Sequence, residues 1–164
     1  MASLAEVIGA VAIVISLVYV GIQVSDSTRA GRSAAANETS SAISSWYSAL
    51  GSNQRATQVF LDGITNPDSL SREETAQFIY LLHGLMLEYQ NAYYLSQEGT
   101  LDVELQESLT NTILGVRDQR GFLVYWGQRR GLFKSNFRAY MEELVTTGTT
   151  NIEMERLYQP RESE

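Results

Sequence analysis

Cysteine is absent from this 164-residue chain, and histidine occurs once, as His83. Without cysteine there is no disulfide framework, no thiol nucleophile and no thiolate metal site. One histidine removes most histidine-based metal and triad chemistry as well. Basic side chains are outnumbered, twelve against nineteen acidic, giving a net charge of −7 and a pI near 4.7. That balance argues against a nucleic-acid partner, whose phosphates call for a basic footprint. No glycine-rich phosphate loop, GxSxG elbow or HExxH stretch is present. Together these absences predict a non-enzymatic protein with no catalytic residue, no cofactor and no metal. Only two prolines occur, and at 44% hydrophobic and 19% charged the chain is too apolar to be disordered. Its length suits about one domain.

The apolar residues are unevenly spread. Leu4 to Val24 reads LAEVIGAVAIVISLVYVGIQV, and between Val7 and Ile22 the only polar side chains are Ser16 and the Tyr19 hydroxyl. At about 1.5 Å rise per residue such a run spans roughly 30 Å, the thickness of a bilayer's hydrocarbon core. A buried helix of a soluble bundle reads the same way by periodicity alone. A cleavable signal peptide would want basic residues before the run and small residues just after it. Here Gln23, Val24, Ser25 and Asp26 follow instead. A retained transmembrane helix over residues 1–24 is therefore expected. Arg29 and Arg32 follow the span and only Glu6 precedes it, which by the positive-inside bias places the N-terminus outside and the remainder in the cytoplasm.

Within the span, Glu6, Gly9, Ile13, Ser16, Val20 and Gln23 alternate three and four apart and share one helix face. Four of the six are polar or glycine, while the rest of the circumference is almost wholly aliphatic. A carboxylate, a hydroxyl and an amide on one seam sit better against other helices or water than against lipid. The seam predicts self-association. The plainer alternative has Glu6 and Gln23 reaching the headgroups from either end and Ser16 bonding its own backbone. Carried onward, the register gives Ser27, Ala30, Ala34, Asn37, Ser41, Ser44 and Ser48. Residues 25–51 read as a helical extension or stalk, with Gly31 as the place for a bend and Trp46, Tyr47 and Leu50 as its first core contacts.

Residues 52–148 read as a cytoplasmic helical bundle and 149–164 as a polar tail. Gln54–Ile64 is a short helix closed by Thr65-Asn66-Pro67-Asp68. Ser71 and Glu74 form a capping box that opens a helix running to about Gln97 and ending at Gly99. One face of that helix carries Phe78, Leu81, Leu82, Leu85, Tyr89 and Tyr93; the opposite face carries Tyr80, Leu87 and Tyr94 beside His83. Being apolar on two sides, it should lie at the centre of the bundle. Asp102 starts a further helix, Phe122, Tyr125 and Trp126 form an aromatic ridge ending at Arg129-Arg130, and Ser135 caps a last helix with Phe137, Tyr140, Met141 and Leu144 inward. The fold class is all-α. His83 and Glu88 stand five apart, on different sides of their helix, so they are no metal pair. Glu88 is expected to pair with Arg129 or Arg130.

The apolar run followed by Thr28-Arg29-Ala30 resembles the start of a large family of uncharacterised bacterial proteins. Glu88-Tyr89, Tyr93-Tyr94 and Gly99 resemble that family's middle. Trp126, Arg129, Arg130, Phe133, Phe137, Arg138 and Tyr140 resemble its C-terminal signature. Ser25-Asp26-Ser27 departs from the more basic, Asn-containing stretch usual there, which weakens the charge bias across the membrane. The resemblance implies one N-terminal transmembrane helix, a small helical domain and a bacterial inner-membrane location; it implies no activity.

Two functions from different classes fit these observations. In one, the membrane helices associate along the seam into a small homo-oligomeric, cation-conducting pore with Glu6 at its outer mouth. In the other, the helix anchors a cytoplasmic scaffold that recruits another protein and transports nothing. Membrane lipid and further copies of the chain are the partners expected in the first reading, and a cytoplasmic protein in the second.

Overall fold

The computed structural model describes residues 4–147, and among them there are six α-helices, two single 3-10 turns and no strand. The expected tail over 149–164 lies outside the described residues. Helix α1 runs unbroken from Leu4 to Gly51, 48 residues, or about 72 Å at the standard rise. Gly31 does not interrupt it. The rest is α2 (Gln54–Thr65), α3 (Arg72–Gln97), α4 (Val103–Leu114), α5 (Arg120–Arg129) and α6 (Ser135–Thr147). The chain is thus all-α, with one long apolar N-terminal helix leading into a small bundle.

Local chemistry accounts for the boundaries. The Asn53 side chain accepts from the Ala56 amide at 3.1 Å to start α2, and Thr57 Oγ1 donates to the Leu50 carbonyl at 2.7 Å to close α1. The capping box forms as the spacing predicts: Glu74 N–H donates to Ser71 Oγ and Ser71 N–H to the Glu74 carboxylate. At the far end of α3, Gly99 adopts φ +70°. Its own amide bonds Ser96 O while Thr100 N–H reaches back to Leu95 O, a Schellman closure that a Cβ at Gly99 would strain. Asp102 caps α4 through the Glu104 and Leu105 amides. Ser135 does not cap α6; it is the first helical residue, and Lys134 precedes it with its N–H bonded to Gln90 Oε1 at 2.9 Å.

Helix α3 packs against α1, α2, α4 and α6 and so occupies the centre. Phe78, Leu82, Leu85, Met86 and Tyr89 are buried on one face. The second face is divided: Tyr80 is 73% exposed and Leu87 faces water, while Tyr94 is partly buried against the core and His83 is half-buried. The core joins these residues to Ile64, Ile113, Phe122, Tyr125, Trp126, Phe137 and Met141. Buried Gln106 and Thr110 of α4 are satisfied by α6: Gln106 Nε2 donates to the Tyr140 phenol at 2.8 Å, and that phenol donates to Thr110 Oγ1 at 3.0 Å.

The stalk is only partly a stalk. Ala35, Thr39, Ile43 and Leu50 are buried against the bundle, and the Trp46 indole N–H donates to Leu81 O at 2.8 Å. Arg32 reaches Gly99 O at 3.0 Å. Core contact thus begins about three turns before Trp46, and Tyr47 stays half exposed. The packed face, 35-39-43-46-50, lies on about the opposite side of the helix from the serine-rich row, whose Ala34, Asn37, Ser41, Ser44 and Ser48 are all exposed.

Gly84 lies within α3, and a Cβ there would meet nothing within 4 Å. Gly84→Ala should therefore raise stability by about 0.5–1 kcal/mol through the lower entropy of the unfolded chain. Chemical denaturation checks this, and a loss of stability would reveal a close neighbour at that site.

Candidate functional site

The candidate seam lies on the part of α1 that the bundle leaves alone. Glu6, Gly9, Ile13, Ser16, Val20 and Gln23 are all exposed and line up along one side of an uninterrupted helix. A Cβ added at Gly9 would meet nothing, so nothing within the chain requires glycine there. The Gln23 amide donates to the Tyr19 hydroxyl one turn back at 3.2 Å, which joins a neighbouring face to the seam's inner end. With Ile13 and Val20 of the seam included, thirteen large apolar or aromatic side chains from Leu4 to Val24 are each more than half exposed. By length and composition α1 is able to cross a membrane, and no part of its apolar stretch is buried within its own chain.

The expected pairing of Glu88 with Arg129 or Arg130 does not form. Arg130 pairs with Glu142 of α6 at 3.2 Å, and Arg129 acts electrostatically on His83 and Tyr125. Helical geometry explains the correction. His83 and Glu88 are five residues apart, about 140° around α3, so a cation placed beside His83 is turned away from Glu88. Ion pairs among the described residues are exposed at one partner or both, as in Arg55–Glu74 and Arg120–Asp68, and add little stability.

His83 does pack among aromatics. Its Nδ1 lies 2.8 Å from the Tyr125 hydroxyl, and its ring is 5.2 Å from that of Phe133. Burial lowers the imidazole pKa, and the Arg129 charge lowers it further. Burial raises the Tyr125 phenol, an effect Arg129 only partly opposes. A phenol held protonated beside a neutral imidazole fits donation from Tyr125 to Nδ1, with the ring hydrogen on Nε2. The group serves the packing of α3 on α5.

Linkage gives the sign of its pH response. The unfolded chain protonates His83 near its ordinary value and the folded chain only below that. Stability from the neutral ring is therefore complete above about pH 6.5 and is lost as pH falls through the lowered folded-state value. Between about pH 7.5 and about pH 5, above the carboxylate range, the parent should lose more melting temperature than His83→Gln. Equal losses would assign the acid response to another group.

The aromatic ridge is core. Phe122, Trp126, Phe133 and Phe137 are buried and follow one another at centroid spacings of 6.4, 5.6 and 5.6 Å. One feature has no counterpart in the sequence patterns: an apolar cavity of about 140 Å³, open on one side, bordered by α1, α2, α3, the end of α4 and Phe122 of α5. Its walls come from five separate segments, and no local spacing marks them as neighbours. Groups of three or more acidic or histidine side chains able to hold a metal do not occur among the described residues. Comparison with models of known families, with curated proteins and with solved structures finds no match to this chain.

Proposed function

We propose that this chain is a single-span protein of a bacterial inner membrane whose α1 helices assemble along the row Glu6, Gly9, Ile13, Ser16, Val20 and Gln23. The bundle is then held in the cytoplasm, as Arg29 and Arg32 beyond the span favour. One observation carries the reading: the thirteen large side chains of Leu4–Val24 stand exposed on a helix whose own bundle does not cover them. Lipid covers such a surface, and the polar row then finds partners in further copies. The family resemblance in the apolar run and the Trp126–Tyr140 pattern agrees with this architecture.

In its sharper form the assembly is a cation pore. Carboxylates of Glu6 would ring the outer mouth and draw cations. Ser16 would offer a hydroxyl midway, and Ile13 and Val20 would form dry constrictions. The scaffold reading is favoured by a different observation, the 73% exposure of Tyr80 beside surface Leu87 on α3, a place for a cytoplasmic protein to dock. Neither form assigns a catalytic step or a cofactor.

The mass of the protein–detergent complex tests assembly, and a monomer overturns it. Planar bilayers test the pore: cation-selective current is expected, with selectivity reduced by Glu6→Gln. An oligomer silent across voltage, pH and divalent ions overturns the pore and leaves the scaffold.

A further inference from the structure

We propose that the cavity between α1, α2, α3 and α4 is a binding site for one small, uncharged, apolar molecule of about the size of a single aromatic ring. Its volume is about 140 Å³. An apolar engineered cavity of about 150 Å³ in another protein stays dry and binds benzene. Native cores leave few voids larger than a water, so a space of this size between well-packed helices is set apart from ordinary packing.

The lining decides the ligand's chemistry. No acidic, basic or histidine side chain contributes to it, so an ion entering would lose its hydration without a counter-charge. Its threonine hydroxyls and the Tyr89 phenol are engaged. Thr57 Oγ1 donates to Leu50 O, Thr112 Oγ1 donates to Leu109 O at 2.6 Å, and the Tyr89 hydroxyl is bonded to Thr112 Oγ1. The remaining surface is aliphatic, aromatic or thioether, with Trp46, Phe60, Leu85, Met86, Ile113 and Phe122 among its residues. Water finds few partners in such a space; a ring or a short alkyl group finds close contact on most sides.

Access is also visible. Tyr47 of α1 and Leu61 of α2 line the cavity and are 50% and 40% exposed, which places the mouth between those two helices. An occupant would touch α1 on one wall and α3 on the other, bracing the helix that carries the long apolar stretch against the bundle. Binding to the folded state alone would raise the melting temperature.

The test uses the full chain in lipid nanodiscs, with methyl-13C methionine and toluene as the probe. Met86 is in the wall, and Met141 of α6 lies outside it as an internal control. Toluene should shift the Met86 methyl resonance saturably and leave Met141 in place. Benzoate, the same ring with a charge, should not. Leu61→Phe at the mouth and Val116→Phe from the α4 side each fill part of the space, and each should weaken toluene binding by about tenfold or more. An unchanged Met141 signal shows that a filled variant has folded. A Met86 resonance that does not move, or one that moves linearly together with Met141, overturns the site. A benzoate shift equal to that of toluene overturns the assignment to uncharged ligands, and full toluene affinity in both filled variants overturns the location.

Discussion

Gly121→Ala should unfold the bundle or cost it most of its stability. A Cβ at Gly121 would lie 1.9 Å from the carbonyl oxygen of Gly63, 2.8 Å from its carbonyl carbon and 2.8 Å from the Cα of Ile64. All three are backbone atoms of α2, so no rotamer change relieves the contact; α5 must move off α2 as a body. That movement would pull Phe122, Tyr125 and Trp126 out of register with a core in which each is at most 6% exposed. Ordinary overpacking costs about 1–3 kcal/mol, and a clash with fixed backbone exceeds it, against a total stability of about 5–15 kcal/mol for a domain. Gly63→Ala is the graded comparison. Its Cβ would meet the Phe78 ring at 2.4 Å, and a ring can shift where a carbonyl cannot, so the loss should be smaller. Urea melts of both variants beside Gly84→Ala check the order. A Gly121→Ala protein melting like its parent would mean that α2 and α5 do not meet at these glycines.

The glycine contact also shows where sequence reasoning stops. Signals confined to one turn of chain read correctly: the Ser71–Glu74 box, the stop at Gly99 and the Asp102 cap each depend on neighbours within a few residues. Signals that need a third dimension did not. Gly63 and Gly121 are 58 positions apart, and nothing in either local sequence says that two helices touch there. The apolar marks at Tyr80 and Leu87 look like a second core face, yet periodicity records only that side chains share a side, not what stands opposite. The same limit applies to α1. Its seam register, continued from the span into the bundle region, runs along about the opposite side of the helix from the packed row 35-39-43-46-50, roughly 180° round. Glu88 and the arginines failed for a related reason, since pairing depends on which way α5 delivers its C-terminus. The cavity needed walls from five helices at once.

Removing residues 2–24 should convert a protein that pellets with membranes into one that stays in solution with its bundle intact. Among the described residues, every buried side chain of α1 lies at Ala35 or beyond, and the first tie to the bundle is Arg32 to Gly99. The cut therefore removes no core contact among the described residues. What it removes is large. Thirteen apolar or aromatic side chains, each more than half exposed, represent on the order of 20 kcal/mol of transfer free energy when covered by lipid. A helix satisfies its own backbone there, so this term is not offset by unpaired amides, and it far exceeds the marginal hold of one myristoyl chain. The full chain should resist alkaline carbonate and need detergent for extraction. The shortened chain should remain in the supernatant after ultracentrifugation, with helical circular dichroism and a melting temperature close to that of the extracted parent. A full chain that stays soluble without detergent would overturn the membrane reading. A shortened chain that melts much lower would show instead that Leu4–Val24 is covered by protein, in further copies of the chain, rather than by lipid.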